Sequence, residues 1–263
     1  MIQPHKPDPT VLTNTLLYLD GVEVAFDGYR ALRGLSLIVQ PGEMLAIIGP
    51  NGAGKTTMMD VITGKTRPDK GDVLFEGKVD LTKRDEADIA QLGIGRKFQK
   101  PTVFESQSVE DNILLALKSA RGVVANLFWG GTPAIRSKVD EVLETIRLSS
   151  LRTRLAGSLS HGQKQWLEIG MLLAQDPKLL LVDEPAAGMT DTETHKTGEL
   201  LLSLAGKHTI VVIEHDMVFV RQIATKVTVL HQGSILCEGT VDAVQNNEKV
   251  IEVYLGKKSV RHE

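Results

Sequence analysis

Apolar positions along the chain fall into three patterns, and their order predicts an architecture. Between residues 16 and 39 they alternate: Val22, Val24 and Phe26 share one strand face, and Leu35, Leu37 and Val39 share another. Three short runs, at 44–48, 179–182 and 209–213, are apolar without alternation, as expected of central parallel strands buried on both faces. Between the first two runs, Val109, Ile113, Leu114 and Leu117 recur at helical spacing, as do Val139, Val142, Leu143 and Ile146. Residues 164–175 form a further strongly patterned helix. A hairpin around Glu76-Gly77, a helix over 85–93 and an extended segment over 94–98 fill the gap after the first run. Strands at 227–230 and 235–238, followed by two short helices to Tyr254, close the chain. The predicted class is α/β, with a mostly parallel core sheet, an antiparallel β lobe near the N-terminus and a helical lobe at about 100–165. Residues 1–15, with Pro4, Pro7 and Pro9, and residues 257–263 read as flexible tails flanking one domain over 16–256.

The candidate chemistry starts where the first buried run stops. Gly49, Pro50, Asn51, Gly52, Ala53, Gly54, Lys55, Thr56 and Thr57 match G-x-x-x-x-G-K-[ST], with a strand before and a helix after. The glycines let backbone N–H groups surround a phosphate, and the helix N-terminus adds its positive dipole end. Lys55 reaches the β- and γ-phosphates in such a loop, and the Thr56 hydroxyl holds Mg²⁺. The alternative, a chance glycine-rich turn, does not explain the flanking elements. The second buried run ends in Asp183-Glu184, at the strand end where parallel sheets bind ligands. Asp183 suits Mg²⁺, and Glu184 suits polarisation of an attacking water. The third run ends in Glu214-His215-Asp216, where His215 is placed to donate to a γ-phosphate. Ser160 reads as an N-cap, and the start of its helix as a second anion-binding terminus. Phe26, at a strand end, is either core or a ring for stacking on adenine. Gln99 carries little meaning alone, since most glutamines are solvated surface residues.

Composition narrows the class without changing it. The chain has 263 residues, 42% hydrophobic and 24% charged, and a net charge of −3, which gives no whole-chain attraction to nucleic acid or anionic lipid. A single cysteine, Cys237, rules out an internal disulfide or a cysteine metal cluster. No apolar run approaches the length of a bilayer span, and no signal peptide opens the chain, so the expectation is a cytosolic protein that serves membranes only by docking to other subunits. The cluster 127–131, containing Phe128 and Trp129, is either a packed loop or a partner contact.

Taken in order and spacing, residues 49–57, Gln99, 159–163, 179–184 and His215 resemble the Walker A, Q-loop, signature, Walker B and switch-histidine motifs of ABC ATPases. The resemblance spans about 16–256. Residues 184–189, 213–217 and 250–256 look like the ATPase subunits of branched-chain amino-acid-type importers. Residues 58–68, 94–104 and 160–170 resemble more narrowly the urea-transporter ATPase subunit of that group. The resemblance implies a P-loop NTPase fold that hydrolyses ATP with Mg²⁺ to power solute import. It implies catalytic roles for Glu184, His215, Gln99 and Lys55, and metal contacts from Thr56, Gln99 and Asp183. Phe26 and residues 49–57 would bind ATP, while Ser160, Gly162 and Gln163 would complete the site of the opposite subunit in a head-to-tail pair. Implied partners are a second ATPase, two membrane permease subunits and an extracytoplasmic solute-binding protein, on the cytoplasmic face of a bacterial inner membrane, with no nucleic acid. Urea or short-chain amides are the implied solutes; amino-acid import, or a soluble regulatory switch, is the alternative. Two positions depart from the common pattern. His161 stands where L-S-G-G-Q has a glycine and would carry a strain of roughly 1 kcal/mol if φ were positive there. Thr190 stands where many members have aspartate.

Overall fold

Strand β1 (Leu17–Phe26) pairs antiparallel with β2 (Tyr29–Val39) on one side and with β4 (Lys70–Phe75) on the other. The two-residue strand β5 (Val79–Asp80) pairs with β4 and completes a four-stranded lobe. This computed structural model describes residues 12–97, 102–117 and 132–255. Val22 and Val24 are buried on the predicted face, whereas Phe26 emerges from it and is 48% exposed. Leu12–Thr15 are not loose: the Leu12 carbonyl packs on Gly77, and Thr15 is buried. Residues 12–15 of the expected tail thus pack on the folded domain.

The second sheet is built around β3 (Met44–Ile48), between β8 (Thr209–Ile213) and β9 (Lys226–His231), all parallel. β7 (Leu179–Asp183) and β6 (Ile94–Lys97) extend it in parallel beyond β8, and β10 (Ser234–Gly239) adds an antiparallel edge beyond β9. The order β10-β9-β3-β8-β7-β6 is the mostly parallel sheet that the apolar runs predict. The missing alternation has a direct cause. Leu179 and Leu181 enter one core, with β1, β2 and the helix after β3; Leu180 and Val182 enter a second core on the opposite face. Burying each such side chain is worth roughly 1.5–3 kcal/mol.

Nine helices lie among the described residues: α1 (Lys55–Ile62), α2 (Glu86–Gln91), α3 (Val109–Ala116), α4 (Pro133–Thr145), α5 (His161–Leu173), α6 (Asp191–Leu204), α7 (Met217–Ile223), α8 (Val241–Gln245) and α9 (Glu248–Leu255). The helical-spacing residues are the buried ones: Val109 and Ile113 on α3, and Val139, Val142 and Leu143 on α4, all in the core that α5 and α6 share. Ser108, Ser160 and Thr190 begin α3, α5 and α6 with capping boxes, in which the cap side chain and the third helical residue satisfy each other's free amides. This bears on two positions that depart from the common pattern. The helix expected at 164–175 begins at His161, so His161 has helical backbone and none of the left-handed strain considered for it. Thr190 acts as a helix cap.

Candidate active site

The phosphate loop leaves β3 and enters α1 between two crowding elements. A Cβ on Gly49 would sit 2.2 Å from the Leu230 carbonyl oxygen of β9. At Gly54, φ is +102°, and a Cβ would lie 2.7 Å from the Ala31 carbonyl oxygen of β2. Both glycines are thus required by close backbone approach, the second also by its left-handed conformation. The Lys55 ammonium donates to the Gly49 and Pro50 carbonyls, at 2.6 and 3.0 Å. Burial lowers its pKa, while the Glu184 and Asp183 charges oppose that shift.

A cavity of about 210 Å³ opens over this loop, lined by residues 51–57 together with Tyr29, Asp183 and Glu184. β7 delivers Asp183 at its end, and the chain then bends sharply: Glu184 has φ +44°, a strained value for a residue with a side chain. Its amide still donates to the Ile213 carbonyl at 3.0 Å, which fixes the carboxylate beside the end of β8. There His215 Nδ1 lies 3.6 Å from Glu184 Oε1, with the imidazole open to solvent. Glu214, fully buried, accepts hydrogen bonds from the amides of Ala186 and His215 at 3.2 and 3.1 Å. Burial raises the Glu214 pKa and backbone donors oppose the rise. The carboxylate thus anchors the loop after Glu184 to the end of β8.

Asp183 is steadied from the other side. Arg96 of β6, nearly buried, donates to Asp60 of α1 at 2.5 Å and brings Nη2 to 3.9 Å from Asp183. Burial raises the Asp183 pKa; the Arg96 charge opposes it. The Thr56 hydroxyl and the Asp183 carboxylate are hard oxygen donors on the same cavity. They fit Mg²⁺, which keeps waters and substrate phosphates as its other ligands.

The cavity gathers most of the residues singled out in the sequence: Asn51, Gly52, Ala53, Gly54, Lys55, Thr56, Thr57, Asp183 and Glu184. Ser160, Gly162 and Gln163 start α5 outside its lining. Phe26 is also outside the lining, facing its register partner Tyr29. Gln99 and the cluster 127–131 lie outside the described residues. Sequence reasoning missed Tyr29, Arg96 and Glu214. Tyr29 had a signal, a second aromatic across the Asp27-Gly28 turn. Arg96 had one too, a charge inside the extended segment read at 94–98, which begins and ends in apolar residues.

Comparison with known proteins finds a family and a fold for nearly the whole chain. Residues 32–187 match the family model described as ABC transporter, and residues 234–259 the one described as branched-chain amino acid ATP-binding cassette transporter. The chain is similar to the high-affinity branched-chain amino acid transport ATP-binding protein LivG of Escherichia coli, 35% identical over 94% of this chain and 100% of that one. It is 34% identical to BraF, the corresponding protein of Pseudomonas aeruginosa, over the same shares. Among solved structures, a nucleotide-free ATP-binding cassette from an ABC transporter superposes with a TM-score of 0.79, at 34% identity over 92% of this chain and 100% of that one.

Proposed function

The chain belongs to the ABC transporter ATP-binding family, and from that premise we propose that it powers a multi-subunit importer from the cytoplasmic face of the membrane. Hydrolysis of ATP is the activity of the family. The observation that carries the reading is the single cavity uniting Lys55, Thr56, Asp183 and Glu184, with His215 beside Glu184.

In this reading the loop amides and Lys55 hold the β- and γ-phosphates, and Lys55 exchanges its two carbonyl contacts for phosphate oxygens. Bound Mg²⁺, held by Thr56, Asp183 and Gln99, would neutralise charge on the phosphate oxygens. Glu184 orients the attacking water, and His215 donates to the γ-phosphate. Phe26 stacks on the adenine. Ser160, Gly162 and Gln163 begin a helix away from the cavity of their own chain, which supports their service to the site of a second ATPase subunit in a head-to-tail pair. On the helical lobe, Phe104 and Leu155 are exposed around the backbone bond from Ala156 to Gln107, an apolar face suited to a permease subunit. Among the described residues no helix is long and apolar enough to cross a membrane, so peripheral attachment fits.

The solute we propose is urea or a short-chain amide, on the resemblance of residues 58–68, 94–104 and 160–170 to the urea-transporter subunit. The names of the curated relatives favour the second reading, branched-chain amino acids. Delivery by an extracytoplasmic binding protein belongs to either.

Glu184→Gln tests the catalytic assignment. ATP binding is expected to persist while steady-state hydrolysis falls at least about 100-fold, since the water loses its polarising carboxylate. Hydrolysis at the wild-type rate would remove Glu184 from that role. Solute is read separately, by whether urea or leucine with its binding protein stimulates ATPase of the reconstituted complex.

A further inference from the structure

His161 does more than fill a glycine position. It is the first residue of α5, and its imidazole Nε2 lies 3.1 Å from the carbonyl oxygen of Ala187, in the loop that follows the catalytic Glu184. Gly188 passes under the same ring: a Cβ there would be 3.6 Å from Nε2. The loop is a pair of tight turns, with the Ala187 amide donating to Glu184 and the Met189 amide to Ala186, each at 3.2 Å. With the proton on Nε2, His161 donates to the Ala187 carbonyl, and the Gln165 amide nitrogen, 3.4 Å from the same Nε2 and itself a donor, makes no hydrogen bond to it. A second tie runs parallel to the first. The Ser160 hydroxyl donates to Glu193 Oε1 at 2.9 Å, and Glu193 Oε2 accepts from the Thr190 amide and hydroxyl at 3.1 and 3.0 Å. The start of α5 is therefore bonded to the middle of the segment that joins Glu184 to α6 and to the first turn of α6 itself.

We propose that His161 is a positioning residue that couples, within one subunit, the start of α5 to the loop carrying the catalytic glutamate. A glycine there has no side chain to reach Ala187, so the coupling belongs to this chain's own residue. The consequence rests on the head-to-tail reading above: the half-site offered by Ser160 to the opposite subunit then moves together with the half-site built on Glu184, with the imidazole as the tie closest to Glu184.

The test compares wild type, His161→Ala and His161→Gln in the full chain. Glutamine carries its amide nitrogen at a reach similar to Nε2 and so can replace the bond. Amide hydrogen exchange of the 184–192 peptide without nucleotide reads the loop directly. His161→Ala is expected to accelerate it about fivefold or more and to lower kcat about fivefold or more, with ATP affinity within about twofold; His161→Gln is expected to restore both. Unchanged exchange overturns the proposal, as does an alanine variant with wild-type kcat, or a glutamine variant as impaired as alanine. The mass of Glu184→Gln in solution with Mg-ATP reports the paired-subunit reading independently. A monomer there counts against self-pairing and leaves the exchange comparison to decide the coupling.

Discussion

His215 Nδ1 and Glu184 Oε1 stand 3.6 Å apart at the ends of adjacent parallel strands, and no covalent neighbour dictates that meeting. Glu184 is held by its left-handed backbone and by the Ile213 carbonyl, His215 by its amide bond to Glu214. Both backbones are therefore fixed independently of each other, so replacing one side chain leaves the other's backbone in place. If His215 donates to the γ-phosphate as proposed, His215→Ala is expected to lower kcat by about 10- to 100-fold with ATP affinity within about threefold. Steady-state ATPase with equilibrium nucleotide binding checks this; an unchanged kcat would count against the role.

Arg96 is nearly buried between two carboxylates, Asp60 at 2.5 Å and Asp183 at 3.9 Å. Replacing it with methionine keeps much of the volume but leaves Asp60 with the exposed Lys65 at 3.7 Å and Asp183 with the charges of Lys97 and Lys55. Breaking a buried ion pair from one side costs about 3–5 kcal/mol, and Asp60 retains some solvent, so about 3 kcal/mol of destabilisation is expected for Arg96→Met. Denaturant unfolding measures it. A loss under about 0.5 kcal/mol would mean that solvent replaces the guanidinium at no cost.

Legibility in the sequence followed locality. The phosphate loop is contiguous, so the residues 49–57 announce it, and the doubly buried strands announce themselves because both faces of β7 and β8 meet a core. The cap at Ser160 was legible for the same reason. Arg96 with Asp60, Ser160 with Glu193 and His161 with Ala187 were not, because each joins elements that only the sheet order and helix packing bring together. The apolar pattern of α5 shows only from 164 onward, because its first residues, His161, Gly162 and Gln163, carry no apolar period; the Ser160 cap, held in a capping box with Gln163, marks the true start.

Glu193 supplies a pH prediction. Hydrogen bonds from the Thr190 amide and the Ser160 hydroxyl hold its carboxyl below its ordinary value of 4.5. A carboxyl whose folded pKa is depressed adds stability above its unfolded pKa and loses it as the pH falls through the lower folded value. Glu193→Gln should therefore melt at a lower temperature than wild type near pH 7, and the gap should close as the pH falls below 4.5. Thermal melts across that range decide it; a gap undiminished in acid would assign the loss to packing against Gly162 instead.

Phe26 and Tyr29 face each other across the turn of Asp27 and Gly28, whose φ values are +46° and +87°. Only Tyr29 lines the cavity, and its hydroxyl donates to the Gly52 carbonyl of the phosphate loop at 3.2 Å. The two rings thus suit different parts of a nucleotide. A base stacked on an aromatic ring gains about 1–3 kcal/mol, a gain that inorganic tripolyphosphate, which has no base, does not share. Phe26→Ala is therefore expected to weaken ATP about fivefold or more while leaving tripolyphosphate within about twofold. Tyr29→Phe removes only the hydroxyl and its bond to the loop, worth about 1 kcal/mol, and should weaken both ligands alike by about fivefold or less. Calorimetric titration of the two ligands against both variants separates the roles. Should Phe26→Ala leave ATP untouched while Tyr29→Ala weakens ATP far more than tripolyphosphate, the stacking ring is Tyr29, and Phe26 serves only to close the turn.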